Sequence, residues 1–238
     1  MGRIIPEIPW SFVLCVLASL SLIAASLHFW GAEEVRANLG VVVLLTCVGG
    51  VWLLFATKLF AWLGVSCRDD LIERSNRAAL IGICGAVLSA AIIYAGGSLG
   101  EGPSYSNNFF SAGLGTAGWL ALWLVLEIGG EVSTSIAEER DLASGMRLCS
   151  FLVAEALVLG RAVAGDWHSA AGTVRDFIAD GWPGLVLCGV ALTIEQFVRP
   201  GPRRPFPAWQ LFGLVPALFY LGLAIAWLWH MGAWEGMP

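Results

Sequence analysis

Residues 39–98 read LGVVVLLTCVGGVWLLFATKLFAWLGVSCRDDLIERSNRAALIGICGAVLSAAIIYAGGS. Two uninterrupted apolar runs, 39–65 and 78–98, flank one charged segment, Arg68-Asp-Asp-Leu-Ile-Glu-Arg-Ser-Asn-Arg77. Each run reaches the roughly 20 residues that a helix needs to cross hydrocarbon. A barrel strand would show about ten residues of alternating polarity instead, and here the apolar runs are continuous. The stretch reads as two helices joined by a charged turn, in a solvent where a helix must satisfy its own backbone.

The same texture extends outward. Further apolar runs at 9–30, 113–131, 148–165, 183–198 and 211–229 bring the expected spans to seven. The sixth is short and opens at Trp182-Pro183. The first lacks a basic start and a small-residue cleavage site, so it reads as a retained helix. Of the 238 residues, 58% are hydrophobic and 13% charged, with mean hydropathy +0.76. A soluble domain carries roughly 25% charge, which excludes a soluble enzyme, and a disordered chain is excluded as well. A net charge of −5 with no basic stripe argues against nucleic acid as a partner. The expectation is an all-α, polytopic transmembrane bundle forming a single membrane domain in the lipid bilayer.

Charge asymmetry sets the expected orientation. Arg3, Lys58, Arg68, Arg74, Arg77, Arg140, Arg147, Arg199, Arg203 and Arg204 fall on one side of the spans, ten of the 13 Lys and Arg. Arg36, Arg161 and Arg175 fall on the other. The positive-inside rule then puts the N-terminus in the cytoplasm and the C-terminus outside. Trp10, Trp62 and Trp209 at one set of span ends, and Trp30, Trp167, Trp182, Trp227 and Trp229 at the other, form the aromatic belt of a bilayer protein. The six Cys form no C-x-x-C pair and none sits in an outer loop, so they read as small buried hydrophobes and not as a disulfide framework.

The pattern of residues 39–100 recurs at 111–167: an apolar span, a short charged segment (Arg68–Arg77, then Glu138–Arg147) and a helix rich in small residues. Residues 1–38 add an N-terminal span, and 182–230 form a more divergent hairpin around the Pro/Arg-rich turn 199–207. Two hairpins in the same orientation make a parallel tandem repeat about the membrane normal. In the first charged segment, Asp70–Arg74 and Glu73–Arg77 are i,i+4 pairs with the acid first, the better orientation, and they are candidates for a cytoplasmic partner contact. Gly82, Gly85, Ala86, Ser89 and Ala90 let helices approach closely, which is what holds helices together in lipid.

The run from Arg68 through Asn76, Ala78, Ala79 and Gly85 to Ser89 resembles the YjfL-like family of small bacterial inner-membrane proteins, a domain of unknown function built as two such hairpins. The resemblance covers roughly residues 40–167. The second copy departs from it: Ser144 or Gly145 stands where the family has Asn, and Glu155 and Arg161 interrupt the helix. The resemblance implies a bacterial inner-membrane protein with no assigned catalysis and an accessory role.

Charges inside hydrocarbon are costly and therefore candidates for function. Lys58, Glu127, Glu155 and Arg161 lie within spans, and Glu131 and Glu195 lie at or near the inner interface. Glu127 and Glu155 belong to consecutive helices at similar depth, so their carboxyls could meet and hold a proton. Lys58 could instead pair with Glu127 or Glu131. Arg161 is expected to snorkel outward toward Asp166. His28, His168 and His230 share the outer side. Neutral imidazole ligates metal, haem or chlorophyll-type pigment, although no paired-His metal spacing is present. No nucleotide loop, nucleophile elbow or metalloprotease motif occurs. The favoured expectation is a non-enzymatic accessory or scaffold subunit, assembling with itself or another membrane protein through small-residue helix faces. Its alternatives are a small proton- or ion-coupled transporter using Glu127 and Glu155, and a haem- or pigment-binding subunit using the histidines.

Overall fold

A computed structural model describes residues 8–200 and 208–232. Arg3, Arg203, Arg204 and most of the turn expected at 199–207 lie outside the described residues. Among the described residues, nine α-helices follow one another: α1 (Trp10–Trp30), α2 (Glu33–Arg36), α3 (Leu39–Phe60), α4 (Arg77–Gly97), α5 (Ser106–Gly130), α6 (Val132–Ala137), α7 (Leu142–Ala162), α8 (Ala170–Val198) and α9 (Val215–Met231). A 3-10 turn, Ala61–Leu63, extends α3, and π-helical turns occupy Cys67–Glu73 and Gln210–Leu214. Among the described residues, seven helical segments are long and apolar enough to span a membrane. The protein is thus an all-α polytopic bundle.

α4 and α7 form the centre. α1, α3 and α5 pack on α4, while α5, α8 and α9 pack on α7. The two central helices run parallel, and small residues allow the approach. A Cβ on Gly145 would fall 2.6 Å from the Ala78 carbonyl oxygen, one on Gly85 would fall 2.6 Å from the Cys149 Cα, and one on Gly96 would overlap the Gly160 carbonyl oxygen. Gly82 and Gly85 meet α7 at Leu148 and Cys149, and Ala86, Ser89 and Ala90 are buried in the bundle as well. The small-residue face expected to bind a partner is therefore used up inside the chain. The outer helices turn large apolar side chains outward, among them Leu39, Leu54, Ile128, Leu185 and Phe197. Trp10, Trp62 and Trp229 project from span ends, more than four-fifths exposed. Trp119 and Trp123, by contrast, are core residues stacked with Phe60.

Two connections at one end of the bundle, 64–76 and 131–141, follow the same backbone plan. Each opens on a left-handed residue, Gly64 (φ 86) or Glu131 (φ 50), and makes a short helical turn. Each then meets a second left-handed residue, Ser75 (φ 48) or Arg140 (φ 56), directly before the cap of the next long helix. Asn76 N–H donates to the Asp70 carbonyl and Asp141 N–H to the Ser135 carbonyl, both across six residues and both at 3.0 Å. The side chains then cap: Asn76 Oδ1 accepts from Ala78 and Ala79, and the Asp141 carboxylate from Ala143 and Ser144. By this geometry Asp141, not Ser144 or Gly145, stands where Asn76 stands in the first unit. Asn76 does one thing more. Its Nδ2 donates to the Ile136 carbonyl at 2.7 Å, which ties the two connections together.

The sixth span is the chief departure from expectation. α8 is continuous over 29 residues and runs through Pro183. At 1.5 Å per residue it is about 44 Å long, against roughly 30 Å of hydrocarbon. Its first turns therefore emerge at the membrane surface, where Arg175, Asp176 and Asp180 are tolerated. Those charges and the proline hide the start of the helix in a hydropathy reading. α7 likewise starts six residues before the expected 148, because Asp141 caps it. That places Arg147 inside a helix.

Candidate functional site

The ionisable groups of α7 and α8 fall at three levels along their shared face. At the arginine-rich end, Arg147 and Glu195 form a buried, bidentate ion pair. Arg147 Nε donates to Glu195 Oε1 at 2.6 Å and an Nη to Oε2 at 2.9 Å. Their side chains are 0% and 3% exposed. The remaining guanidinium donors reach the Phe212 carbonyl (2.7 Å) and Ser144 Oγ (2.9 Å), and Ser144 Oγ donates to Asp141. The pair thus joins α7, α8 and the π-helical entry to α9. Arg147 was expected in a charged turn and Glu195 at the interface, so sequence reasoning missed the pair. The only available signal was their placement at the same predicted membrane level.

At mid-span, Glu155 of α7 is buried, 1% exposed. Neither carboxyl oxygen has a hydrogen-bond partner among the described residues. It lies against α8 at Gly184: a Cβ there would come 2.6 Å from Glu155 Oε2. Pro183 precedes that glycine within the helix. Having no N–H, it leaves the Ala179 carbonyl without its in-helix donor. One turn beyond, Cys188 Sγ points to the Leu122 carbonyl at 3.6 Å. The lone carboxyl therefore meets the facing helix where a proline has removed one of its hydrogen bonds and a glycine leaves room.

At the other end, a polar funnel of about 250 Å³ opens between α5, α7 and α8. Arg161, Asp166, Asp176, Asp180 and His168 line it. Asp166 Oδ1 accepts from the Glu101 backbone N–H at 2.7 Å, and Trp167 N–H returns a bond to the Glu101 carbonyl at 2.8 Å. These bonds pin the mouth of the funnel to the loop after α4.

The other sequence candidates have local tasks. Glu127 does not meet Glu155. Its carboxylate accepts from Ser133 Oγ (2.5 Å) and Ser133 N–H (2.9 Å), satisfying the start of α6. Lys58 is exposed in the last turn of α3 and makes no ion pair among the described residues, whereas Glu131 pairs with Arg199 at 3.4 Å. Asp70–Arg74 forms at 3.1 Å, but Asp70 is buried and also accepts from Ser66 N–H, so it locks its own turn. Glu73 pairs with Arg68 across the π-helical turn and not with Arg77, because the chain leaves helical geometry at Ser75 (φ 48) between them. Arg77 is exposed at the first position of α4.

Beside that turn, Cys67 lies outside the spans, and burial pushes its thiol up to about 11 against the opposing pull of Lys58. His28, His168 and His230 are all exposed. His28 stacks on Phe29, His230 on Trp227, and His168 Nδ1 contacts the Asp166 carbonyl. Among the described residues no group of three or more His, Cys, Asp or Glu side chains is placed to hold a metal ion. All six cysteines are unpaired.

No protein-family model, curated protein or solved structure matches the chain.

Proposed function

We propose that the protein moves protons across its membrane, with Glu155 as the proton-carrying group. One observation carries this reading. A carboxyl sits at mid-span with no donor or cation on either oxygen among the described residues, against α8 where Pro183 removes one in-helix hydrogen bond and Gly184 lets the carboxyl approach. A buried polar group without a partner needs a reason. An ionisable group inside a membrane is a functional candidate by default, and proton relays are among the roles it serves; here the facing proline also frees a backbone carbonyl within α8. Glu155 alternates between a neutral acid and a carboxylate that awaits a proton. The funnel lined by Arg161 and Asp180 lies further along the same two helices.

The accessory-subunit reading has less to stand on. The small residues of α4 that it would use are buried inside the chain, which leaves a partner the exposed faces of the outer helices. The charge asymmetry further supports a cytoplasmic location for the arginine-rich end.

The test is reconstitution of the full chain in liposomes loaded with a pH-sensitive dye, with a potassium ionophore to dissipate charge. Internal pH should follow an imposed gradient faster than in empty liposomes, and Glu155→Gln should return it to the empty-liposome rate. Equal rates for the wild type and the variant would refute the proposal.

A further inference from the structure

A second cavity adjoins the funnel on its lipid side. It is an apolar groove of about 710 Å³ between α1, α4 and α7, with Leu228 of α9 at its edge. Its floor is cut low by Ala95, Gly96 and Gly160, and Trp30 marks its rim. The Gly96–Gly160 approach creates this depth, because no side chain rises from the line where the two central helices touch. In a bilayer such a groove fills with hydrocarbon.

Arg161 and Ala164 line both the groove and the funnel. A path therefore leads from an apolar trough, past one guanidinium, into a polar mouth that holds Asp166, Asp176 and Asp180. We infer that this path binds one phospholipid with a primary-amine headgroup: acyl chain in the groove, phosphate at Arg161, ammonium among the aspartates. The order of groups along the path matches the order along the lipid. Three carboxylates against one guanidinium disfavour a headgroup whose only charge is negative. A primary ammonium donates hydrogen bonds to carboxylates, and a quaternary one cannot. The Ser111 and Thr173 hydroxyls in the same wall add further acceptors. The inference stands independently of proton exchange at Glu155.

The test is native mass spectrometry of the full chain, released from detergent after incubation with equal amounts of phosphatidylethanolamine, phosphatidylcholine and phosphatidylglycerol of identical acyl chains. One phosphatidylethanolamine per chain should be retained at roughly tenfold over either competitor, the worth of one charge-assisted hydrogen bond. Arg161→Gln should abolish that retention, and Asp180→Asn should shift preference toward phosphatidylglycerol. Should Arg161→Gln fail to fold, Ala25→Trp fills the groove from the exposed side of α1 and should exclude the lipid equally. Equal retention of all three lipids, preference for phosphatidylglycerol by the wild type, retention undiminished in Ala25→Trp, or a dimer in place of bound lipid would each overturn the inference.

Discussion

Replacing Arg147 by Met tests the energetics of the bundle most sharply. The guanidinium makes two bonds to Glu195, one to the Phe212 carbonyl and one to Ser144 Oγ, all away from solvent. Removing it leaves the Glu195 carboxylate buried without its counter-charge. Breaking one partner of such a pair costs about 3–5 kcal/mol. Glu195→Leu, which strands the guanidinium instead, should cost a similar amount. The double variant strands neither charge, and replacing a whole buried pair by apolar residues is often neutral. Its loss should then be smaller than either single loss, with a coupling energy of about 3 kcal/mol in the cycle. Reversible unfolding in mixed micelles at rising denaturing-detergent fraction, followed by Trp fluorescence, measures all four species. Additive losses, or single losses below about 1 kcal/mol, would refute the claim that this pair is a sequestered clamp on α7, α8 and α9.

Other outcomes follow from the same geometry. Gly85→Leu drives a side chain into the Cys149 backbone and should destabilise the bundle by about 1–3 kcal/mol or more, whereas Gly189→Leu, with open space around it, should be close to neutral in the same assay. Asn76→Asp keeps the cap on α4 but loses the donor to Ile136, so it should cost about 1–3 kcal/mol; a neutral result would mean the two connections are not tied through this side chain. Cys67, with its thiol at about 11, carries little thiolate at pH 8. Its alkylation rate should keep rising until about pH 11, where an ordinary thiol levels off near pH 9; a plateau near pH 9 would show that the side chain is not buried.

Several features were legible because they depend on local composition. The apolar runs, their near-correct boundaries, the small-residue stripe of α4 and the Asp70–Arg74 pair all follow from residues close together in sequence. The starts of α7 and α8 were misplaced for an equally local reason. A hydropathy reading stops at the first charges, but an Asp cap at Asp141 and interfacial turns at 170–182 carry a helix through them. The register of Cys67–Glu73 was misread because π-helical winding puts Arg68 beside Glu73.

By itself, the sequence determined the solvent of this protein, since 58% hydrophobic residues in runs of about twenty can only be helices in lipid. It also determined which side chains were worth watching there. Only the tertiary structure decided what each of them meets. Hydrophobicity drives helices into a bilayer without choosing among their faces. The choice comes from close packing: Gly85, Gly96 and Gly145 lock α4 onto α7. That contact turns Arg147 toward Glu195, leaves Glu127 to cap α6, and sets Glu155 alone against α8 at Pro183-Gly184.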